Sequence, residues 1–355
     1  MTRIIFTCSS LTSGGAERVL SVLSQALSDT YDEVEYVMWG RADVFYNIDN
    51  RVKLTSIEHE CGSSNILKKI IWFRKYIDRK RPNLILSFSA PFNMLTLASL
   101  LFSKHKVIAC ERVDPRSFRW GKPLEIIRNI LYNKAAGILT QTQMSKEYFR
   151  GKLYQKTDII FNPITMDKDD IGSALTSLKN NTIVTAGRLV KQKRHDLLIR
   201  SFSRFEKEHA GYKLIIYGEG PERNNIETLV KTLHLEGVVE LPGNTKDLWN
   251  KIKSAKMFIM TSSFEGMSNS MIEAMCLGIP TISTKVSGAT DLINHNNNGI
   301  LIDIDDEESA YKAMCKIADN QSFSDKLSIN GSNIYNELRV ENISKQWIKY
   351  INDRI

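Results

Sequence analysis

The stretch that decides the fold covers residues 257–293 and reads MFIMTSSFEGMSNSMIEAMCLGIPTISTKVSGATDLI. It predicts a short apolar strand over residues 257–260, a polar turn that closes on Gly266, and an amphipathic helix to about Leu277. A second strand is predicted from Pro280 onward. A strand that leads into a helix across small residues presents free backbone N–H groups and the positive end of the helix dipole. This arrangement suits a phosphate group.

Two carboxylates frame the predicted helix start. Glu265 precedes the helix and Glu273 follows eight residues later, roughly 12 Å along the axis if the span were helical. That distance is too long to share one proton or one metal, but it suits the two ends of an extended ligand. A diphosphate between them would meet the amides of Gly266, Met267, Ser268 and Asn269. The alternative is an exposed turn residue and a solvated helix face.

The Glu-x7-Glu spacing, together with FEG, the EAM-LG-P run and S-GA-DLI, resembles the signature of retaining GT-B glycosyltransferases, specifically glycosyltransferase family 4 (glycosyl transferases group 1). The resemblance implies an α/β chain of two Rossmann-like domains that face each other across a cleft. It also implies that Glu265 meets the donor sugar and that Glu273 meets the ribose hydroxyls. Ser268 stands where many relatives carry proline, so this loop does not identify the donor.

Length and composition agree with a globular protein of two domains. The chain has 355 residues, of which 42% are hydrophobic and 25% charged. Its longest apolar runs are interrupted by polar residues and proline, so we expect no membrane-spanning helix, and the N-terminus lacks a signal-peptide pattern. The five scattered cysteines include no Cys-x-x-Cys, which favours reduced thiols in a cytoplasmic protein.

The positive charge is concentrated in the first half. Residues 1–165 hold 24 Lys and Arg against 15 Asp and Glu, a net charge of +9, whereas the rest hold 24 against 25. Such a surplus suits a phosphorylated acceptor, an anionic membrane surface or nucleic acid. We expect no nucleic-acid partner, because no aromatic platform or nucleic-acid motif accompanies the charge.

A glycine pair near the N-terminus lies between a strand and a helix, in LTSGGAERVL. Gly14 and Gly15 let the backbone pass close to a ligand, although a tight strand–helix turn needs the same residues. The resemblance implies a glycine loop that faces the donor diphosphate and the acceptor.

A basic helix is predicted between Asn65 and Arg81. One stripe is apolar and contains Ile66, Ile70, Phe73 and Ile77. The other is basic with one aromatic and contains Lys68, Trp72, Lys75 and Arg79. That stripe can lie on anionic lipid, bind a pyrophosphate, or form an ordinary solvated face.

Arg112 occupies a loop where many family members have a histidine near the donor sugar. An arginine there can pair with a phosphate or a carboxylate. Alternatively, the charges from Glu111 to Arg116 satisfy one another.

A polar segment after the Asn162-Pro163 turn is the predicted linker. The predicted domains are an acceptor-side domain over residues 1–165, a nucleotide-sugar domain over 166–340, and a helix over 341–355 that returns to the first. Strand–helix alternation in both halves predicts parallel sheets, whose ligands bind at the carboxyl ends of the strands.

Two cations follow the first strand of the second half. Arg188 and Lys193 in GRL-x-x-x-K resemble the family's pair that neutralises the departing diphosphate; in isolation they would read as exposed residues of a basic loop. Gly243 and Asn244 match a turn that contacts the base through backbone atoms.

We expect no metal, because Asp303-Ile304-Asp305-Asp306 precedes a helix that it can cap and the histidines show no ligand spacing. His195 is expected to start a helix rather than to act in catalysis.

The resulting hypothesis is a metal-independent, retaining hexosyltransferase. It would move a sugar from a nucleotide-sugar, most plausibly a UDP-sugar, to a glycan or polyprenyl-diphosphate-linked acceptor in cell-surface polysaccharide or lipopolysaccharide synthesis. We expect a cytoplasmic protein, either free or peripheral on the cytoplasmic face of the inner membrane. A GT-B nucleotide-sugar epimerase and a non-catalytic sugar-nucleotide-binding protein remain as alternatives.

Overall fold

The computed structural model describes residues 1–11, 15–41, 44–117, 121–166, 168–176, 178–245 and 247–355. The chain divides into two compact units. The first contains residues 1–165 and 338–355, and the second contains residues 166–337. No helix in these ranges has both the length and the apolar character needed to cross a bilayer.

The first unit is built on a parallel sheet. Among its described residues, the strands are β1 (Arg3–Cys8), β2 (Glu33–Met38), β3 (Lys53–Ser56), β4 (Leu84–Phe88), β5 (Val107–Cys110), β6 (Gly137–Thr140) and β7 (Thr157–Ile159). They lie side by side in the order β3-β2-β1-β4-β5-β6-β7. The central strands are almost wholly buried, as expected for a parallel sheet that helices cover on both faces.

Helices connect these strands. Those described are α1 (Gly15–Thr30), α2 (Ile57–Cys61), α3 (Ile66–Lys80), α4 (Ala90–Ser99), α5 (Lys122–Lys134), α6 (Gln143–Tyr148) and α7 (Lys152–Gln155). Helix α4 contacts both α3 and α5, so these three helices form one layer. The core of this layer includes Phe73, Ile77, Leu97 and Leu131.

One sequence prediction in this unit needs correction. The apolar stripe of α3 was expected to start at Ile66, but that side chain is 44% exposed. Ile66 is the first helical residue, next to the cap Asn65, and lies beyond the part of α3 that packs on the sheet.

The second unit has its own parallel sheet. Its strands, as far as the chain is described, are β8 (Thr182–Ala186), β9 (Lys213–Tyr217), β10 (Val239–Gly243), β11 (Met257–Met260), β12 (Thr281–Thr284) and β13 (Ile300–Ile302). The order is β10-β9-β8-β11-β12-β13. Strand β8 therefore lies between β9 and β11, and the loops that follow β8 and β11 leave the same edge of the sheet.

Helices again cover this sheet. The described ones are α8 (Lys168–Thr176), α9 (His195–Glu208), α10 (Arg223–Thr232), α11 (Leu248–Ile252), α12 (Asn269–Cys276), α13 (Ala289–Leu292), α14 (Glu307–Asp319), α15 (Gln321–Ser332) and α16 (Tyr335–Leu338). One core of this unit includes Phe202 and Phe205 of α9, Ile259 of β11 and Met314 of α14.

The chain ends with α17 (Val340–Asn352), which belongs to the first unit. The return starts at Leu338, three residues before the predicted boundary, where the Leu338 carbonyl accepts a hydrogen bond of 2.8 Å from the Ile164 N–H. The fully buried Trp347 stacks on Phe88 of β4, with ring centroids 5.9 Å apart. This packing fixes α17 against the sheet of the first unit.

Candidate active site

Two loops of the second unit bring a predicted cation and a predicted carboxylate together. Lys193 ends a 3-10 turn (Lys191–Lys193) after β8, and Glu265 lies in the loop after β11. The Lys193 Nζ and the Glu265 Oε1 are 2.6 Å apart, and the two side chains are 15% and 11% exposed. Because β8 and β11 are neighbours in the sheet, residues 72 positions apart in sequence form a nearly buried ion pair.

Further hydrogen bonds hold these two loops in register. The Ser263 N–H donates to the Gln192 carbonyl at 2.8 Å, and the Gln192 Nε2 donates to the Phe264 carbonyl at 2.6 Å. The Thr261 hydroxyl donates to the Lys193 carbonyl at 3.1 Å. The position of the ion pair is therefore fixed by the backbone of both loops and does not depend on the two long side chains alone.

A glycine at the end of β8 makes room for the lysine. A Cβ added to Gly187 would lie 2.9 Å from the Lys193 Cε and 3.2 Å from its Nζ. The Lys193 side chain therefore crosses directly over the Gly187 backbone, and any larger residue at position 187 would push the ammonium group out of place.

The start of α12 is anchored on both sides. Ser268 is its N-cap, and the Ser270 hydroxyl donates to the Ala186 carbonyl at the end of β8 at 2.9 Å. Gly288, in the loop after β12, has φ +81°, and a Cβ there would lie 2.5 Å from the Gly266 carbonyl oxygen. These contacts hold the predicted phosphate-binding turn against the ends of β8 and β12.

The second predicted carboxylate lies inside the helix. Glu273 is in the second turn of α12 and is buried, as are Met267 and Ser268, while Asn269 is half-buried as the first helical residue. The sequence placed Glu265 in a turn before the helix, and this is confirmed, because Ser268 caps a helix that begins at Asn269. The figure of roughly 12 Å between Glu265 and Glu273 applied only to a fully helical span, which residues 265–268 do not form.

Arg188 differs from Lys193 in its surroundings. It is exposed in the loop directly after β8. Within the described part of the chain, its guanidinium forms neither a hydrogen bond nor an ion pair, whereas Arg194 a turn later pairs with Asp196 at 3.1 Å and with Asp305. Arg188 is thus a cation of this loop that is available to an incoming anion, and the exposed Lys191 is another.

The turn predicted to contact the base ends β10. Gly243 has φ +86°, and a Cβ there would lie 2.9 Å from the Glu219 Oε1. Its carbonyl accepts a hydrogen bond of 2.9 Å from the Gly218 N–H, which ties the ends of β9 and β10 together. Asn244 follows and is exposed. Both residues therefore lie at the same sheet edge as the loops after β8 and β11.

His195 is the first residue of α9, as the sequence predicted, and is 4% exposed. Burial lowers the pKa of its imidazole to about 4, and the positive charge of Lys193 acts in the same direction. The ring is therefore neutral at pH 7, and both of its nitrogens are enclosed by protein.

The remaining predicted residues lie in the first unit. Gly14 is outside the described residues, and Gly15 begins α1. The predicted basic stripe of α3 is exposed at Lys68, Lys75 and Arg79. The guanidinium of Arg79 lies over the Tyr76 ring, 5.6 Å from its centroid.

Arg112 is not exposed with them. It lies two residues after the end of β5 and is buried, with its guanidinium 5.3 Å from the Phe88 ring centroid and 2.6 Å from the Asn162 Oδ1. Burial lowers the pKa of Arg112 to about 10. The expectation that charges from Glu111 to Arg116 pair among themselves holds only for Arg116, which binds Asp114.

The aspartate cluster has the capping role predicted for it. Asp306 is the N-cap of α14, and its Oδ1 accepts a hydrogen bond of 2.9 Å from the Ser309 N–H. Asp303 pairs with Lys285 at 2.6 Å. A separate group with metal-binding atoms within 4.8 Å of one another comprises Glu208, His209 and Cys315, at the other end of α9 from His195.

Sequence reasoning missed the residues that position the site. Gln192, Ser270 and Thr261 carry no motif of their own, and their partners are backbone carbonyls of neighbouring loops. A usable signal existed for Gly288, because the S-GA-DLI segment directly follows a predicted strand. Glycine after a strand of a parallel sheet is typical of a close backbone approach.

Comparisons with known proteins show what this chain is similar to. Residues 167–334 match the family described as glycosyl transferases group 1. A Campylobacter jejuni protein named GalNAc-alpha-(1->4)-GalNAc-alpha-(1->3)-diNAcBac-PP-undecaprenol alpha-1,4-N-acetyl-D-galactosaminyltransferase is 26% identical over 99% of this chain and 98% of its own length. The Erwinia amylovora amylovoran biosynthesis glycosyltransferase AmsD is 26% identical over 83% of this chain and 84% of its own length.

Two solved structures have the same fold. Anabaena HepE in complex with UDP and glucose superposes with a TM-score of 0.81 at 18% identity, covering 99% of this chain and all of HepE. Sucrose-phosphate synthase from Thermosynechococcus elongatus superposes with a TM-score of 0.83 at 16% identity, covering 99% of both chains. The predicted GT-B fold of two Rossmann-like domains is confirmed.

Proposed function

We propose that this chain, a glycosyltransferase of GT-B fold whose residues 167–334 match the glycosyl transferases group 1, transfers a hexose, with retention, from a UDP-sugar. The acceptor in this proposal is a glycan or a polyprenyl-diphosphate-linked glycan. The class of process is polysaccharide or lipid-linked glycan synthesis.

The observation that carries the proposal is the ion pair between Lys193 and Glu265. Before a donor binds, each charge is neutralised by the other at 2.6 Å. A diphosphate that arrives at the exposed Arg188 offers Lys193 a stronger anionic partner. Glu265 is then released to accept hydrogen bonds from the hydroxyls of the donor sugar. Donor binding and assembly of the catalytic groups would thus be one event.

The chemistry requires stabilisation of the leaving group. The bond between the anomeric carbon and the diphosphate oxygen breaks, and its electron pair leaves with the diphosphate. The acceptor oxygen bonds to the anomeric carbon on the same face, and its proton passes to the departing diphosphate. Arg188, Lys193 and the amides of residues 266–269 stabilise the charge that develops, which is the main catalytic demand.

The rest of the donor is bound around these groups. Glu273 accepts hydrogen bonds from the ribose, and the backbone of Gly243 and Asn244 contacts the base. Two side-chain cations supply the positive charge that a divalent ion supplies in other transferases, so the reaction proceeds without metal. The name of the Campylobacter relative supports an undecaprenyl-diphosphate acceptor, and the UDP in the HepE complex supports a UDP donor.

The first unit has the acceptor-side role in this proposal. Its glycine loop at Gly14 and Gly15 would contact the acceptor. The exposed Lys68, Lys75 and Arg79 of α3 give the protein an electrostatic attraction for the cytoplasmic face of a membrane, where a polyprenyl-linked acceptor is found.

A donor screen tests the proposal. Thermal unfolding is measured with UDP-, GDP- and ADP-sugars, since a ligand stabilises the folded state according to its occupancy. The sugar that stabilises is then supplied with acceptor, and the anomeric configuration of the product is read by NMR. Transfer with an unchanged anomer supports the proposal. An inverted product, or an epimerised sugar formed from donor alone, contradicts it.

A further inference from the structure

Helix α5 presents a row of aliphatic side chains to solvent. Leu124, Ile126, Ile127 and Ile130 are between 46% and 59% exposed. At about 100° per residue, the three isoleucines fall within an arc of about 100° on one side of the helix. An exposed apolar group of this size on a single helix is unusual for a surface that meets only water.

The opposite side of α5 fixes this orientation. Arg128, Leu131 and Tyr132 are buried. The Arg128 guanidinium donates to the Tyr148 hydroxyl at 2.7 Å and also lies 4.8 Å from the centroid of that ring. Rotation of α5 to bury the isoleucines would break these contacts. The aliphatic row therefore stays exposed to solvent in the isolated chain and is a candidate binding surface.

The part of the sequence that contains the row is strongly basic. Residues 62–156, which contain α3 to α7, hold 19 Lys and Arg against 5 Asp and Glu, a net charge of +14. Residues 1–61 hold 5 against 9, a net charge of −4. Lys122 and Lys134 are exposed at the two ends of α5. The positive charge of the first unit is therefore concentrated in the part of the chain that carries the aliphatic row.

Helix α3 repeats the combination in the same layer. Leu67 and Ile71 are 66% and 56% exposed, next to the exposed Lys68 and Lys75. Since α4 contacts both α3 and α5, the two helices belong to one layer over the sheet. Aliphatic groups flanked by lysine suit a surface with an apolar interior and a negatively charged rim.

We propose that α5 inserts Ile126, Ile127 and Ile130 into the interface of an anionic lipid bilayer, with the exposed Lys68, Lys75, Lys122 and Lys134 supplying the electrostatic attraction. This proposal rests on the proposed function in one respect, which is that a lipid-linked acceptor would be reached by binding to the membrane. It adds an apolar anchor to the electrostatic contact of α3. Electrostatic attraction is screened by salt, whereas aliphatic insertion is not, so the two contributions are separable.

The test is co-sedimentation of the full chain with vesicles. One set contains equal parts phosphatidylglycerol and phosphatidylcholine, and the other contains phosphatidylcholine alone. The Ile126→Ser/Ile130→Ser variant is expected to lower the partition coefficient on anionic vesicles roughly 10- to 100-fold. Ile329→Ser is the matched control, because Ile329 is 62% exposed on α15 of the second unit. It should bind as the wild type does.

A charge variant measures the electrostatic contribution separately. Lys122→Glu/Lys134→Glu should weaken binding at about 0.05 M salt much more than at about 0.5 M, where charges are screened. The serine variant should weaken binding at both salt concentrations. Circular dichroism of every variant should show the helix content of the wild type, because the substituted side chains are exposed.

Three results would overturn the proposal: equal binding of wild type and the double-serine variant, equal binding to neutral and anionic vesicles, or a concentration-dependent dimer that the serine substitutions dissociate. The last would make a second copy of the chain the partner of α5. Turnover with a water-soluble acceptor distinguishes the membrane-binding proposal from the proposed function. The double-serine variant should have the turnover of the wild type in this assay. If the wild type turns over no donor at all, the proposed function fails while the vesicle result stands.

Discussion

Lys193→Met is the substitution whose consequences the structure defines most fully. It removes the ammonium group that lies 2.6 Å from the Glu265 carboxylate and leaves that carboxylate 11% exposed without its partner. An exposed ion pair is worth up to about 1 kcal/mol, and the loss of one partner of a fully buried pair costs about 3–5 kcal/mol. For this nearly buried pair we expect the free energy of unfolding to fall by about 1–3 kcal/mol.

The effect on turnover should be larger than the effect on stability. Removal of one group that stabilises charge in the transition state lowers kcat by roughly 10²- to 10³-fold. Lys191→Met is the matched control, since Lys191 is an exposed lysine of the same 3-10 turn. We expect the turnover of that control to stay within a factor of about two of the wild type. Its free energy of unfolding should change by no more than about 0.5 kcal/mol, as is usual for surface substitutions.

A double-mutant cycle with Glu265→Gln tests the pairing itself. Urea unfolding of the wild type, both single variants and the double variant gives the coupling free energy between the two side chains. A coupling of about 1–3 kcal/mol is expected if the pair forms in solution. Additive effects within about 0.3 kcal/mol, together with wild-type turnover of Lys193→Met, would refute the reasoning.

Three further predictions concern other parts of the second unit. Gly288→Ala should lower the melting temperature by several degrees, since φ is +81° and the added Cβ would lie 2.5 Å from the Gly266 carbonyl; a melting curve identical to that of the wild type would contradict the close contact. The free energy of unfolding should fall as the pH drops from about 6.5 towards 4. Burial holds the pKa of His195 at about 4 in the folded chain, so over this range the imidazole binds a proton in the unfolded chain but not in the folded one. That loss, at most about 3 kcal/mol, should be absent in His195→Gln. EDTA should leave turnover unchanged, and activity that is abolished by EDTA and restored by manganese would contradict the proposal that side-chain cations replace a metal.

Local sequence patterns were sufficient for the elements of the second unit. The strand predicted over residues 257–260 matches β11, and the strand predicted from Pro280 onward matches β12, because each is a short apolar run bounded by glycine, proline or polar residues. The capping role of Asp306 was also predictable, because aspartate is a preferred residue at the N-cap of a helix.

The contacts between loops could not be read in the same way. Lys193 meets Glu265 because β11 lies next to β8, although β9 and β10 intervene in sequence. Only the family resemblance suggested that these side chains act together. Burial was also misjudged for Arg112, since a charged residue after a strand gives no sign that Asn162 will enclose its guanidinium. The exposure of Ile126 and Ile130 could not be predicted either, because an aliphatic residue on a helix is normally assigned to the core.

The central claim is that Arg188 and Lys193 bind the diphosphate of the donor. Isothermal titration of UDP and of uridine into the wild type and Arg188→Met tests it most directly, since the two ligands differ only in the diphosphate. We predict that the substitution weakens UDP binding by roughly 10-fold or more and leaves uridine binding unchanged. Equal affinity of both proteins for UDP would contradict the account.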